Sequence, residues 1–178
     1  MLFYLFFPER LSQLFKQLGY PFSPETISKN IAYYMKRTSN GSTLSRVVSS
    51  WVLARSDRAA SWRLFTEALH SDIADIQGGT TREGVHLGAM AGVVDLMQRA
   101  FTGIETRGQV LYFNPALPEE LSRLHLHMRY RFHSLEVEIT PKKLKISTLE
   151  SPAGPIKISV KGKVFELKMG ETKEVDIT

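Results

Sequence analysis

The sequence predicts an α+β chain in which helices come first and an antiparallel sheet follows. Two observations carry this. Apolar residues recur every three to four positions through about residue 102, and they alternate every second position from about residue 109 onward. The break between the two periods predicts a helical domain over residues 1–108 and a β domain over 109–178.

The helical part is punctuated by caps and glycines. Leu11, Leu14, Phe15 and Leu18 share one helical face that stops at Gly19. Ser23-Pro24 reads as a cap with proline in the first turn, opening a helix with Ile27, Ile31, Tyr34 and Met35 on one face. Asn40-Gly41-Ser42 starts another helix, through Val47, Val48, Trp51 and Val52 to about Arg55. Asp57 caps the next, with Trp62, Phe65 and Leu69 inside. The last is expected from about Arg82 or Glu83 to Phe101, with Gly84, Gly88 and Gly92 forming one bare stripe. Each glycine costs about 1 kcal/mol against alanine in a helix, so the stripe implies close approach of another backbone or of a ligand.

The β part shows consistent parity. Val110 to Phe113 reads as a strand ended by Asn114-Pro115-Ala116-Leu117-Pro118. Beyond it, Leu124, Leu126, Met128 and Tyr130 face one way and Arg123, His125, His127 and Arg129 the other. A turn at Phe132-His133 is expected to pair Met128 with Val137, Arg129 with Glu136 and His127 with Glu138. A turn at Pro141-Lys142 pairs Ile139 with Leu144 and Val137 with Ile146. Ile156, Ile158 and Val160 lead through Gly162-Lys163 to Phe165 and Leu167. One apolar face per strand predicts a small antiparallel sheet or sandwich.

Composition narrows the function classes. The 178 residues contain 43% hydrophobic and 23% charged residues, those of an ordinary globular chain. Absence of cysteine excludes disulfides and thiolate metal sites, and fits a reducing, cytoplasmic compartment. The net charge of +5 sits in the tail: residues 1–120 hold 12 basic and 11 acidic side chains, residues 121–178 hold 11 and 7. These charges alternate with apolar residues as on a solvated strand face, so neither nucleic acid nor membrane is expected as a partner. The run Met1 to Pro8 is apolar but too short to span a bilayer, which needs about 20 residues. It reads as the end of a buried helix and leads to the expectation of a truncated chain.

Two constellations carry chemistry. Thr38-Ser39-Asn40-Gly41-Ser42-Thr43-Leu44-Ser45 places glycine and hydroxyls before an amphipathic helix. First-turn N–H groups lack partners and carry the positive end of the helix dipole, so Gly41, Ser42 and Thr43 form a plausible phosphate cradle. Taken alone, an ordinary N-cap is the simpler reading. In Gln77-Gly78-Gly79-Thr80-Thr81-Arg82-Glu83-Gly84-Val85-His86, a glycine turn leads to a helix start with His86 near its first turn. Taken alone, His86 is more simply a hydrogen-bonded structural histidine; paired with the Ser42 region, two glycine-led helix starts can converge on one anion. Asp72, Asp75 and Glu83 lie near this turn; paired carboxylates serve glycoside hydrolysis, but capping is their simpler role. His70 suits a helix end. His125 and His127 share a strand face as metal ligands do, but with no third ligand apparent and Glu138 opposite His127, no metal is expected.

Asn40 to Ser45, the run Asp75 to Met90, and Phe113-Asn114-Pro115 through Leu117-Pro118 resemble glycoside hydrolase family 65, which contains maltose, trehalose and kojibiose phosphorylases. The resemblance covers the chain in order and is weakest after residue 150. It implies the C-terminal helices of an (α/α)6 barrel followed by a small antiparallel β-sandwich. It further implies inverting attack by inorganic phosphate, as co-substrate and without any cofactor, on an α-glucosidic disaccharide, releasing β-glucose 1-phosphate. Gly41 lies in the expected phosphate cradle, and by resemblance Ser42, Thr43 and His86 fall on phosphate-binding positions; many members carry histidine where this chain has Asn40. The family's general acid, a glutamate, is expected upstream of Met1, so no catalytic acid is assigned here and the fragment alone is expected to be inactive. Phosphate is already an anionic nucleophile, so a phosphorylase needs an acid and an anion cradle but no carboxylate base. A hydrolase of the same family, with Glu83 as nearest base, and a non-catalytic carbohydrate-binding remnant are the alternatives. Half a barrel exposes apolar surface, which leaves homo-oligomer formation open.

Overall fold

The computed structural model describes residues 2–6, 8–79, 81–149 and 153–178, which form two compact units, Met1–Leu96 and Met97–Thr178. Met1, Phe7 and Thr80, which the sequence reading used, lie outside the described residues.

The first unit is helical: α1 (Leu2–Leu5), α2 (Pro8–Gln17), α3 (Pro24–Met35), α4 (Thr43–Leu53), α5 (Arg58–His70) and α6 (Leu87–Asp95), with a short 3-10 turn at Thr81–Glu83. The end of α2 is marked by Gly19, which turns left-handed at φ 76°. Ser23 stands at the N-cap of α3 with proline next to it. Asp57 caps α5 by accepting from the Ala60 N–H at 3.0 Å.

The core of this unit is α4 against α5. Val47, Trp51, Leu53 and Ala54 pack with Leu64, Phe65 and Ala68, all buried. The helices cross at two buried serines: Ser50 Oγ donates to the Ser61 carbonyl at 2.8 Å, and Ser61 Oγ to the Ser50 carbonyl at 2.7 Å. Small side chains permit the close approach, and the reciprocal bonds satisfy hydroxyls that burial would otherwise strand. Arg46 reaches Glu67 across the same pair at 3.0 Å.

Several residues expected inside are not. Leu69 is exposed, because the buried stripe of α5 runs through Ser61, Leu64, Phe65 and Ala68. Tyr34 and Leu18 are also exposed, and α3 has no fully buried residue. The described part of the N-terminal apolar run is half-buried or exposed, with Tyr4 edge-on to Trp51 at 5.6 Å.

The last helix starts later than its apolar pattern suggests. Gly84 sits at φ 93°, a left-handed turn that ends the 3-10 segment, so α6 begins only at Leu87 with His86 as N-cap. The glycine stripe on this helix is therefore Gly88 and Gly92. A Cβ at Gly92 would lie 2.6 Å from Val47 Cγ1, so the close approach is packing of α6 on α4. The chain passes into the second unit within a π-helical stretch, Leu96–Phe101.

The second unit holds two four-stranded sheets. One has the order β1-β2-β6-β7, from β1 (Glu105–Arg107), β2 (Val110–Phe113), β6 (Ile156–Val160) and β7 (Lys163–Leu167). The other has the order β3-β4-β5-β8, from β3 (Leu124–Tyr130), β4 (His133–Ile139), β5 (Lys143–Thr148) and β8 (Thr172–Asp176). The expected sandwich is thus present, with one departure: β2 and β6 pair parallel. The strand β1, which falls between the two sequence periods, pairs antiparallel with β2. Inward residues are apolar and sealed: Leu135, Val137, Ile139, Leu144 and Ile146 in one sheet, Leu111, Phe113, Ile156, Ile158, Val160 and Leu167 in the other. Each such side chain contributes about 1.5–3 kcal/mol of burial.

The β3–β4 register differs from the sequence expectation by two residues. The turn is Arg131-Phe132, both with positive φ (47° and 68°), and it pairs Tyr130 with His133. Two consecutive left-handed residues make the primed two-residue turn that matches strand twist. Met128 therefore faces Leu135, and His127 faces Glu136 rather than Glu138. Parity survives because the shift is even. His133, expected in the turn, is instead a fully buried strand residue whose Nε2 donates to the Gly154 carbonyl at 2.8 Å. The β4–β5 register is the expected one, with Ile139 facing Leu144 and Val137 facing Ile146.

Candidate functional site

The candidate site lies in the first unit, where α4 and α6 begin side by side. Two observations fix the juxtaposition. Gln77 Nε2 donates to the Asn40 carbonyl at 3.4 Å, joining the two loops that precede the helices. A Cβ at Gly88, in the first turn of α6, would lie 3.9 Å from Leu44 Cδ1, in the first turn of α4.

At the start of α4, Asn40 adopts φ 49° and turns the chain so that Ser42 becomes the N-cap in extended conformation. Ser42 Oγ accepts from the Leu44 N–H at 3.3 Å, a long bond that a better acceptor would replace easily. Gly41 and Ser42 are exposed, while Thr43 is buried. So the structure gives Ser42 the ordinary cap geometry and leaves its hydroxyl accessible.

The second loop is held by two aspartates. Asp75, itself left-handed at φ 48°, accepts from the Gly79 N–H at 2.8 Å and from the Thr81 N–H at 3.3 Å. Those bonds stabilise the left-handed pair Gly78 and Gly79, with φ of 77° and 100°. Asp75 thus has the capping role its sequence context suggests.

Asp72 caps as well, and does more. Its Oδ2 accepts from the His86 backbone N–H at 2.8 Å, and its Oδ1 accepts from His86 Nδ1 at 2.6 Å. A carboxylate can only accept, so Nδ1 carries a proton and Nε2 is the outward-facing nitrogen. Burial pushes the Asp72 carboxyl up, but the two bonds from His86 and the charge of its ring outweigh that and hold it below its ordinary range. Glu83 Oε2 lies 3.7 Å from His86 Nε2 on an exposed side chain. Asn40 Oδ1 and Thr81 Oγ1 are buried with no hydrogen-bond partner among the described residues. Buried polar atoms without partners are uncommon and suit a polar ligand or water.

The Asp72–His86 pair was not legible as a pair. The two residues are 14 apart on either side of a glycine turn, and no periodicity links them. The usable signal was the composition of that turn, which forces the chain back on itself. His70 is structural, with Nδ1 at 2.9 Å from the Thr66 carbonyl one helical turn earlier.

The arrangement offers hydroxyl, backbone N–H and imidazole groups at paired helix starts. Comparison with known proteins gives it a family. Residues 1–95 match the glycosyl hydrolase family 65 central catalytic domain, and residues 104–167 match the glycosyl hydrolase family 65 C-terminal domain. The chain belongs to glycosyl hydrolase family 65. An uncharacterised glycosyl hydrolase of Mycobacterium tuberculosis is 45% identical over 175 residues, which is 98% of this chain and 13% of that protein. Trehalose 6-phosphate phosphorylase of Lactococcus lactis is 35% identical over 142 residues, 78% of this chain and 18% of that protein. A kojibiose phosphorylase of Caldanaerobacter subterraneus is 32% identical over 148 residues, covering 82% and 19%. A solved structure assigned as a kojibiose phosphorylase from human microbiome shares the fold, with a TM-score of 0.76, 22% identity, and coverage of 88% of this chain and 23% of that one. The chain thus spans less than a quarter of the length of each of these relatives. Among the described residues, no helix is long and apolar enough to cross a membrane.

Proposed function

We propose that this chain supplies the phosphate-binding side of the active site of a family 65 glycoside phosphorylase. The reaction is inverting phosphorolysis of an α-glucosidic disaccharide to β-glucose 1-phosphate. The observation that carries this reading is the side-by-side start of α4 and α6, tied together by the Gln77–Asn40 bond. Gly41, Ser42 and Thr43 cradle the anion from one helix and His86 from the other. Helix N-termini favour anions through unpaired N–H groups and the dipole. Asp72 keeps the imidazole turned so that Nε2 addresses the phosphate. Nε2, the ring nitrogen that Asp72 does not hold, is the one left to meet the anion.

No residue of this chain is assigned as the general acid that protonates the leaving sugar; in this reading the complete enzyme supplies it. The anion itself attacks the anomeric carbon, and the carbon–oxygen bond to the leaving sugar breaks as the acid delivers its proton. No cofactor takes part.

Glu83 favours a second reading, because its carboxylate stands 3.7 Å from His86 Nε2. In a hydrolase of the same family, that carboxylate would activate water and would repel phosphate. The two readings separate on one measurement with the complete enzyme, turnover with and without inorganic phosphate. Phosphate-dependent release of β-glucose 1-phosphate is expected; phosphate-independent release of glucose alone would establish the hydrolase.

A further inference from the structure

The β3–β4 hairpin of the second unit assembles three metal-ligating side chains that belong to no part of the phosphate reading. His125 and His127 are two apart on β3, so both project from the same exposed face. The observed register sets Glu136 directly opposite His127 and one diagonal step from His125. His125 Nε2 lies 2.8 Å from Glu136 Oε1, and the two imidazole rings stand at 4.9 Å between centroids, 82° apart in plane. One ligand atom from each of the three residues lies within 4.8 Å of the others. We propose that His125, His127 and Glu136 form a surface site for a divalent transition ion such as Zn2+ or Cu2+.

The donor set selects the class of ion. Two imidazoles and one carboxylate suit zinc, copper and nickel, whereas Mg2+ and Ca2+ require shells of oxygen. Three protein ligands on an exposed face leave a fourth position to water or an exogenous donor. Bond lengths of about 2.0–2.1 Å place tetrahedral donors roughly 3.3 Å apart, so the 2.8 Å His125–Glu136 pair opens slightly and any wider pair closes, adjustments that exposed side chains make by rotation about χ1 and χ2.

The platform beneath is rigid. Seven consecutive pairs join β3 to β4, and Leu135 and Val137, flanking Glu136 in sequence, are buried on the opposite face. Neighbouring charges set the strength. Arg123 is neutralised by Glu138 at 2.8 Å, while Arg129, facing Ser134, brings an opposing positive charge. The carboxylate of Glu136 is therefore needed for binding, not merely for orienting His125.

Isothermal titration of the 178-residue chain with ZnCl2, CuCl2 and MgCl2 tests the proposal. Zinc and copper are expected to bind with one ion per chain and magnesium to give no heat. His125→Ala, His127→Ala and Glu136→Gln should each weaken zinc binding by about tenfold or more. All three positions are exposed, and thermal unfolding without metal should match the parent chain. Imidazole NMR resonances of His125 and His127 should shift together on addition of zinc. Absence of zinc binding, equal binding of magnesium, or unchanged zinc affinity in His127→Ala would overturn the assignment.

Discussion

At the scale of single residues, the proposed phosphate site rests on Ser42, His86 and Asp72. Loss of a hydrogen bond to a charged group costs about 1.5–3 kcal/mol, so in the complete enzyme Ser42→Ala or His86→Ala should weaken phosphate use by roughly ten- to a hundredfold. The change should appear in the phosphate dependence of turnover more than in disaccharide affinity. Wild-type phosphate kinetics in both variants would remove the assignment. Asp72→Asn keeps the shape but lets the side-chain amide donate where the ring needs an acceptor. It should reduce phosphate use in the same direction, with a changed pH profile that a purely structural role would not give. Asp72 also predicts a stability response. Its carboxyl is held below the ordinary range, so its contribution is complete above that range and is lost as pH falls through the lower folded value. Urea unfolding should therefore show a stability difference between the parent and Asp72→Asn near neutral pH that narrows in strong acid. Ser42 was readable from sequence because capping follows local spacing. The His86 environment was not, because Asp72 reaches it only through tertiary folding of the glycine turn.

At the scale of elements, α6 and the β3–β4 hairpin show what pattern alone decides. Apolar spacing identified α6 but not its start, because Gly84 at φ 93° breaks the helix that the pattern would continue. The glycines that remain in α6 are not equivalent. Gly92→Ala drives a methyl to 2.6 Å from the fully buried Val47 and should cost about 1–3 kcal/mol, read by urea or thermal unfolding. Gly88→Ala meets Leu44 at an ordinary 3.9 Å and should leave stability unchanged or raise it by up to about 1 kcal/mol. Adding Val47→Ala to Gly92→Ala should recover part of the loss, and strict additivity of the two would refute the contact. In the hairpin, parity was legible and register was not. Alternation defines a face, but the turn chooses the partner, and Arg131-Phe132 carries none of the glycine or asparagine that usually marks a primed turn. The two-residue difference changes no buried face, yet it decides which carboxylate meets which histidine.

At the scale of the whole molecule, the helix-then-strand order was legible because the two periods differ throughout. The parallel β2–β6 pair was not, since it joins residues 110–113 to residues 157–160 and no local signal spans that gap. The proposed function scales the same way, because an anion cradle would be only half of a phosphorylase. We expect the isolated 178-residue chain to release no glucose 1-phosphate from maltose, trehalose or kojibiose, in an assay where the complete enzyme does. Steady release by the pure chain would place the acid within these residues. The parallel pair has a consequence for biosynthesis. β3, β4 and β5 find their partners from hairpin neighbours within microseconds of emerging. β2 must wait for β6, roughly two to ten seconds later at ribosomal rates of about 5–20 residues per second. Through that interval the edge of β2 that β6 will occupy, with Leu111 and Phe113 not yet sealed, is open to any other extended chain. Until β6 is made, that strand is a ready target for chaperones that bind extended apolar segments.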